Sequence, residues 1–204
     1  MVQSRSQAGI GLPKKETIEL AGRPIDISDE RERPIYTFGL IKPHAYFRRR
    51  EIVADIYSMS GGKLHLIYEA EHEMDEEWAR LHYREHAGKP FFQELIAMIT
   101  GPSYKFLVAG EDAINQFRQL LGPTDSGKAA PNTLRGRYGE PEKGLAFNAI
   151  HGSDGLSSFV SEVRLHFTHR ELDALGEQFW KRFNLYEKWA NEQKESRIKP
   201  FFQI

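Results

Sequence analysis

Four short runs of apolar, β-branched and aromatic residues alternate along the chain with segments whose apolar residues recur at helical spacing. The runs cover residues 35–41, 64–70, 103–109 and 145–150. Runs of this length and composition are typical of strands, whereas apolar residues at i, i+3, i+4 and i+7 indicate helices. The predicted order is therefore strand, helix, strand, two helices, strand, helix, strand, helix.

Four strands with intervening helices, spread over about 135 residues, predict an α+β fold of the ferredoxin-like α/β sandwich type. In this architecture a βαββαβ unit forms a four-stranded antiparallel sheet covered by helices. Helix starts are predicted near Ile52, Asp75, Pro90, Asp112 and Gly152. A polar segment at residues 123–144 is predicted to be a long loop.

The central unit, residues 34–169, is flanked by two extensions. Residues 1–33 are polar, contain Pro13 and Pro24 and show no sustained period, so we interpret them as an extension rather than a domain. Residues 170–204 are predicted to be a helical extension, amphipathic as far as Trp189. Its aromatic side chains suggest burial on the same chain or on a neighbouring subunit; they are Phe179, Trp180, Phe183, Tyr186 and Trp189.

Composition excludes several functional classes. The absence of cysteine rules out a disulfide scaffold, a thiolate zinc site and a cysteine nucleophile. A formal net charge of −1 argues against specific nucleic-acid binding, because general phosphate affinity needs a clustered basic excess. No apolar run approaches the roughly 20 residues of a membrane span. We therefore predict a soluble, cytoplasmic protein without a membrane partner.

One histidine motif is typical of zinc hydrolases. His82-Tyr-Arg-Glu85-His86 fits H-x-x-E-H, which places two imidazoles one helical turn apart with a carboxylate between them. The pattern is short and no third ligand is evident. We favour the alternative, a solvated helix with two surface histidines.

A second motif is Asn148-Ala-Ile-His151-Gly-Ser153-Asp154, where a buried strand delivers an imidazole to a glycine turn at a helix N-terminus. Free backbone N–H groups and the helix dipole would stabilise a phosphoryl group there. His151 can act as a nucleophile if a carboxylate bonded to its other ring nitrogen fixes the tautomer, and Glu162 is one candidate. The alternative is a buried or turn histidine without a chemical role.

Three isolated cations lie near predicted element ends. If Lys42, Arg118 and Arg135 converged, they would clamp a polyphosphate; taken singly, each is a solvated surface charge. Tyr83 and Phe91 could stack on a base, although aromatic residues at helical spacing more often belong to the core. We assign Phe92 to the core.

Taken together, these motifs resemble the nucleoside diphosphate kinase family over about residues 33–168. The segment from Asn148 to Asp154 is similar to the family's N-x-x-H-G-S-D signature. Four further segments follow in the family's order: Thr37-Phe-Gly-Leu-Ile-Lys42-Pro43, His82-Tyr83 with Lys89-Pro90-Phe91-Phe92, Leu121-Gly122-Pro-Thr124 and Pro131-Asn-Thr-Leu-Arg135-Gly136. Since His82-Tyr83 belongs to this pattern, the resemblance weakens the metal-hydrolase interpretation.

The resemblance implies a ping-pong transfer of the γ-phosphate from a nucleoside triphosphate, typically ATP, to a nucleoside diphosphate. His151 would be the phosphorylated nucleophile, oriented by Glu162 with Ser153 close by. The remaining residues would bind the nucleotide: Lys42, Tyr83, Phe91, Arg118, Thr124, Arg135 and Asn148. Mg²⁺ would be carried by the nucleotide phosphates rather than by a protein cage, and the protein would form a homo-oligomer, a tetramer or hexamer.

Two departures from the family pattern favour an alternative. His44-Ala45 stand where the family usually has Asp-Gly, and the segment between Arg135 and His151 is about three residues longer than is common. Replacing glycine removes access to positive φ if the turn beside Lys42 requires it. Base contacts from the 136–147 segment cannot be transferred from the family. The alternative is therefore a catalytically weak, kinase-like nucleotide-binding or regulatory module that acts through partner contacts.

Overall fold

A four-stranded antiparallel sheet organises the computed structural model, which describes residues 16–20 and 22–198. Residues 1–15 and 199–204 of the two predicted extensions lie outside the described residues. A two-stranded hairpin precedes the sheet, with β1 at Thr17–Leu20 and β2 at Arg23–Asp26. The sheet contains β3 at Tyr36–Ile41, β4 at His65–Met74, β5 at Gly101–Ala109 and β6 at Ile150–Gly152. Its spatial order is β4-β5-β3-β6, the order of the predicted ferredoxin-like sandwich.

The helices occupy the segments between and after the strands. They are α1 at Arg49–Met59, α2 at Glu76–His82, α3 at Phe92–Ile99, α4 at Ala113–Leu121, α5 at Leu134–Tyr138, α6 at Leu156–His166, α7 at His169–Asp173 and α8 at Gly176–Ile198. Short 3₁₀ turns cover Pro43–Arg48, Arg84–His86, Ser126–Lys128 and Pro141–Lys143. Within the described part of the chain, no helix is both long and apolar enough to cross a membrane.

Strand β3 lies at the centre of the sheet, and every one of its residues is buried. Because side chains alternate between the two faces of a strand, Phe38 and Leu40 join one core cluster while Ile41 joins the other. Gly39 lies opposite Phe106 on β5, and a Cβ added there would approach the Phe106 ring to 2.2 Å. Glycine at this position therefore allows an aromatic ring to cover the central strand.

Helices cover both faces of the sheet. One core cluster contains buried side chains of α3, α6 and α8, among them Ile96, Phe159 and Phe183. The other contains buried side chains of α1 and α4, including Ile56 and Phe117. The sheet is therefore the middle layer of a packed sandwich.

The aromatic side chains of α8 pack on their own chain. Phe179, Phe183 and Tyr186 are fully or almost fully buried. The Tyr186 hydroxyl accepts a hydrogen bond of 2.9 Å from the Ile35 backbone N–H and donates one of 2.6 Å to Glu30 Oε1. Of the two predicted ways of burying this helix, the same chain is the one observed.

Two local predictions are wrong. The strand predicted at 145–150 forms at Ile150–Gly152, because Ala149 has a φ of 63° that interrupts extended backbone. The predicted loop at 123–144 contains α5, whose N-cap Thr133 accepts a hydrogen bond from the Gly136 N–H. The predicted N-terminal extension contains the β1–β2 hairpin, which the sequence did not signal.

Asp112 lies at the predicted start of α4 but does not cap the helix through its side chain. It has a left-handed φ of 51° and makes no capping bond to a backbone N–H. Instead its Oδ1 accepts a hydrogen bond of 2.9 Å from the Asn115 side chain.

Candidate active site

His151 and Glu162 form a hydrogen-bonded pair beside the edge strand β6. The Nε2 atom of His151 lies 2.7 Å from Glu162 Oε1, and the Ser153 hydroxyl donates to Glu162 Oε2. Burial alone would raise the pKa of Glu162, but His151 and the hydrogen bonds from His151 and Ser153 outweigh it and lower the pKa. The carboxylate is therefore ionised and accepts the Nε2–H, which leaves a lone pair on Nδ1.

Secondary structure fixes the geometry of this pair. His151 is held in register opposite Leu40 on β3, while Glu162 lies on α6, which begins a few residues later. A Cβ at Gly152 would approach Leu121 and Phe117 to within 3 Å, so glycine allows β6 to pack closely against α4. The strand, the turn and the helix thus bring the imidazole and the carboxylate together.

The pair opens into a cleft of about 1390 Å³. Nine of the ten sequence-predicted site residues line this cleft: Lys42, Tyr83, Phe91, Arg118, Thr124, Arg135, Asn148, His151 and Glu162. The tenth, Ser153, is fully buried and bonds Glu162. The structure therefore brings together side chains that are up to 120 positions apart in the sequence, from Lys42 to Glu162.

Buried Lys42 and half-buried Arg135 are both positioned by backbone carbonyls. Lys42 Nζ donates to Ala146 O at 2.9 Å, and Arg135 donates from Nη1 to Gly122 O at 3.0 Å and from Nε to Ile150 O at 3.1 Å. Burial, reinforced by Arg135, lowers the pKa of Lys42 to about 7. Burial is the main cause that lowers the pKa of Arg135 to about 10, and the charge of Arg118, which lines the same cleft, lowers it as well. The three cations make the cleft suitable for a polyanion.

Asn148 offers an unused acceptor at the cleft. Its Nδ2 donates to Thr124 O at 3.0 Å, which fixes the orientation of the amide. Its Oδ1 is buried and has no hydrogen-bond partner among the described residues. Because an unsatisfied buried acceptor is unfavourable, this atom is suited to receive a hydrogen bond from a bound hydroxyl group.

The two neighbouring phenylalanines have different environments. Phe91 lines the cleft and is 48% exposed, whereas Phe92 is 8% exposed and lies in the core, as predicted. Tyr83 also lines the cleft, and burial raises its pKa well above the usual value, so its hydroxyl stays protonated.

Neither departure from the family pattern disrupts the site. Ala45 is buried in a 3₁₀ turn, and among the described residues other than glycine only Asp112 and Ala149 have positive φ, so the turn does not need glycine at position 45. His44 Nε2 accepts a hydrogen bond of 3.1 Å from the Ala149 N–H. This bond supports the left-handed residue two positions before His151.

The longer segment forms one wall of the cleft. Lys143, Leu145 and Phe147 line it, and Ala146 supplies the carbonyl that holds Lys42. Leu145 is 65% exposed. The inserted length therefore contributes surface to the cleft.

A chain of three more histidines leads to this pair, and sequence reasoning missed two of them, His72 and His166. His82 Nδ1 lies 2.9 Å from His166 Nε2, and His166 Nδ1 lies 3.2 Å from His72 Nε2. Burial is the largest cause that lowers the pKa of His166 to about 2 and of His72 to about 4, so these rings are neutral. The His82 ring lies 4.6 Å from the His151 ring, centre to centre. Nothing in the sequence relates residues so far apart.

The H-x-x-E-H motif does not act as a unit. His82 faces the His151–Glu162 pair, whereas His86 bonds Lys89 Nζ and stacks on Tyr83. The prediction of two surface histidines is wrong for His82, whose Nε2 atom is buried.

The similarity to known proteins covers the part of the chain that contains these site residues. The sequence model of the family described as nucleoside diphosphate kinase matches residues 36–172. The nucleoside diphosphate kinase of Staphylococcus epidermidis (strain ATCC 35984) is 41% identical over 138 residues, covering 67% of this chain and 89% of that protein. The one from Thermobifida fusca (strain YX) is 41% identical over 133 residues, covering 64% and 95%.

Solved structures agree. A halophilic nucleoside diphosphate kinase from Halobacterium salinarum, solved in complex with CDP, is 39% identical, has a TM-score of 0.58 and is matched over 67% of this chain and 89% of its own. The Aquifex aeolicus nucleoside diphosphate kinase is 30% identical with the same TM-score, over 67% and 97%. On these matches the chain belongs to the nucleoside diphosphate kinase family and is an enzyme of that class.

Proposed function

We propose that the protein transfers the γ-phosphoryl group of a nucleoside triphosphate, typically ATP, to a nucleoside diphosphate through a phosphorylated His151. The observation that carries this proposal is the hydrogen bond from His151 Nε2 to Glu162. It fixes the tautomer in which Nδ1 holds a lone pair beside a cleft lined with cations. A tightly positioned imidazole without an acidic proton on its attacking nitrogen is what a phosphoryl acceptor needs.

In the first half-reaction the Nδ1 lone pair attacks the γ-phosphorus, and the bond from that phosphorus to the β,γ-bridging oxygen breaks. The nucleoside diphosphate leaves with the bond's electron pair. The imidazole gains positive charge, which Glu162 stabilises through the Nε2–H, while Ser153 holds the second carboxylate oxygen. In the second half-reaction a β-phosphate oxygen of another diphosphate attacks the same phosphorus and Nδ1 leaves. The reaction is therefore ping-pong.

The cations supply most of the remaining catalysis. Phosphoryl transfer depends on positioning and on stabilising charge that spreads over the phosphate oxygens. Lys42 and Arg135 are rigidly held at the cleft, and Arg118 lines it nearby. We assign these three residues to the phosphates. Asn148, through its unused Oδ1, and Thr124 are assigned to the ribose and phosphate side of the nucleotide.

The donors in the cleft fit a Mg²⁺ ion that arrives with the nucleotide. Mg²⁺ prefers oxygen ligands and usually keeps several waters while binding substrate phosphates. Among the described residues, the single grouping of three potential ligands contains two imidazoles, which is not an all-oxygen cage for Mg²⁺. Asp154 lines the cleft and is the carboxylate we assign to the water shell of the ion. When bound, Mg²⁺ would neutralise phosphate charge.

Recognition of the base is assigned to apolar contact. Phe91 presents an exposed ring to the cleft, and Tyr83 lines it as well. Every base has a π-face, so stacking tolerates different bases. The proposal therefore predicts broad nucleotide specificity.

The test is to incubate the protein with Mg²⁺ and γ-labelled ATP without acceptor, isolate it, and add GDP. Wild-type protein is expected to carry acid-labile label that passes to GTP, while His151→Ala carries none and keeps its thermal midpoint. His65→Ala, outside the cleft, is the matched histidine control and should label normally.

ATP binding without label would contradict the proposal and support the alternative, a catalytically weak nucleotide-binding or regulatory module. The features that motivated this alternative, His44-Ala45 and the longer segment, now support the cleft by bonding Ala149 and holding Lys42. We therefore favour the enzyme.

Two further proposals rest on family membership alone. We propose a homo-oligomer, a tetramer or hexamer, which sedimentation velocity would measure directly. We also propose a cytoplasmic location, which cell fractionation would test.

A further inference from the structure

Three potential metal ligands meet at the base of the cleft. One ligand-type atom from each of His82, His151 and Glu162 lies within 4.8 Å of the others. No other group of three such side chains is found among the described residues. The three come from α2, β6 and α6, so tertiary structure rather than a sequence motif assembles them.

His82 contributes the second observation. Its Nε2 atom is buried and has no hydrogen-bond partner in the described part of the chain. Its Nδ1 is occupied by His166 Nε2 at 2.9 Å, and His166 is in turn bonded to His72. If His82 donates from Nδ1 to His166 and His166 donates from Nδ1 to His72, the lone pair of His82 is on Nε2, the buried atom that has no partner. Metal-binding histidines are commonly oriented by such a bond from the second ring nitrogen.

The donor set indicates the class of metal. Two imidazoles and one carboxylate form a site that zinc occupies in proteins, with a fourth position for water. Mg²⁺ demands oxygen ligands and would not take this site. Ligands of a tetrahedral zinc ion lie about 3.3 Å apart, since Zn–N distances are about 2.0–2.1 Å. Small side-chain movements would close the observed spacing.

We propose that Zn²⁺ binds His82, His151 and Glu162 and, while bound, prevents phosphorylation of His151. The proposed zinc binding rests on the geometry alone, whereas the proposed inhibition rests on the proposed function of His151.

The position of the single proton on the His151 ring makes zinc binding and phosphorylation mutually exclusive. A neutral imidazole has one proton and one lone pair. In the free pair the proton is on His151 Nε2 and the lone pair on Nδ1. When Nε2 binds zinc, its lone pair forms the metal bond and the proton must sit on Nδ1. The nitrogen that would attack phosphorus then has no lone pair, and Glu162 has lost the N–H it accepted.

Zinc binding is tested first without nucleotide. Metal-stripped wild-type protein is titrated with Zn²⁺ by calorimetry and by equilibrium dialysis with metal analysis. We expect one zinc per chain in wild type, none in His82→Phe, and an unchanged stoichiometry in His86→Ala, the other histidine of the H-x-x-E-H motif. No stoichiometric zinc in wild type, or equal binding by His82→Phe, would overturn the site.

A second variant covers the case in which His82→Phe fails to fold. His166→Phe keeps all three ligands and removes the bond that orients His82. Loss of an outer-shell partner typically weakens metal binding about 10- to 100-fold. Unchanged affinity in this variant would refute the assigned orientation of His82.

Inhibition is then measured as a ratio within each protein. Label from γ-labelled ATP with Mg²⁺ is compared with and without buffered free Zn²⁺, followed by a zinc-selective chelator. Wild type should lose label with zinc and regain it with chelator, whereas His82→Phe should show the same label in both conditions. If wild-type protein binds zinc but its label is undiminished, the proposed inhibition is overturned. Wild type that never labels, even without zinc, would contradict the proposed function and leave the binding result to stand by itself.

Discussion

At the scale of single residues, burial gives the cleft its chemical character. Lys42 is 4% exposed, and its Nζ has a backbone carbonyl as partner rather than a carboxylate. Burial disfavours the charged amine and nearby Arg135 adds repulsion, so its pKa falls to about 7. A phosphate group would supply the missing negative charge. The protonation of Lys42 should therefore depend on whether nucleotide is bound.

We predict that ADP binding takes up protons at pH 8. The free protein holds Lys42 mostly neutral there, and bound phosphates favour the charged amine, so uptake should approach about one proton per chain. At pH 6 Lys42 is already charged and contributes no uptake. Calorimetry of ADP binding in two buffers of different ionisation enthalpy measures the number directly.

Lys42→Met is the control for this measurement, because it should bind ADP more weakly and without proton uptake at pH 8. The pH dependence of stability provides an independent check on the direction of the pKa shift of Lys42. The unfolded chain binds more protons than the folded one between pH 7 and pH 10.5, so the contribution of Lys42 to the free energy of unfolding should rise with pH across that window. Absence of uptake at pH 8 would mean that Lys42 is charged before the nucleotide arrives.

At the scale of elements, the periodicity of apolar residues predicted the strands and helices that local sequence determines. The β3, β4 and β5 strands and helices α1, α3, α4 and α6 were all expected near their observed positions. The strand predicted at 145–150 was misplaced because tertiary contacts, including the bond from the Ala149 N–H to His44, hold Ala149 in a left-handed conformation. Helix α5 was missed because its short, polar sequence contains Gly136 and has no apolar period.

The candidate site was likewise predictable from the sequence only in part. His151, Glu162 and the cations could be named from motifs, but their convergence could not, since it depends on how α6 and α4 pack against the sheet. No sequence pattern marked His72 and His166, because the hydrogen bond between them forms only once β4 and α6 are adjacent. Motif resemblance thus predicted residues, and packing supplied their partners.

Contacts between elements also explain how the N-terminal segment is attached. Glu30 is 4% exposed and pairs with Arg182 and Tyr186 of α8, whereas neighbouring Arg31 pairs with Glu192 at the surface. The two pairs join the same elements in different solvent environments. They therefore form a matched comparison.

We predict that Glu30→Ala lowers the free energy of unfolding by about 3–5 kcal/mol, because it leaves the Arg182 guanidinium buried without its partner. Arg31→Ala should lower it by less than about 1 kcal/mol, since exposed ion pairs contribute little. Urea denaturation of the two variants measures both values. Similar small losses would show that water reaches Arg182 when the carboxylate is removed.

At the scale of the whole molecule, the chain is larger than the family match. The matched region ends at residue 172, and the S. epidermidis relative is covered over 89% of its length by 67% of this chain. Helix α8 lies beyond the match, yet Phe179 packs 5.2 Å from Tyr36 on the central strand and Phe183 packs 6.1 Å from Phe159, ring centre to ring centre. The helix is therefore part of the core rather than an appendage.

We predict that a chain ending at residue 175 does not fold cooperatively. Truncating one buried phenylalanine typically costs about 3–5 kcal/mol, and α8 contributes three buried aromatic residues to a fold whose total stability is typically about 5–15 kcal/mol. Phe183→Ala should lower the free energy of unfolding by about 3–5 kcal/mol, whereas Lys188→Ala, on the exposed face of the same helix, should change it by about 0.5 kcal/mol or less. Circular dichroism and urea denaturation of the three proteins test this. A truncated chain with a cooperative transition and full phosphotransfer would show instead that residues 36–172 fold without α8, as their similarity to shorter relatives would allow.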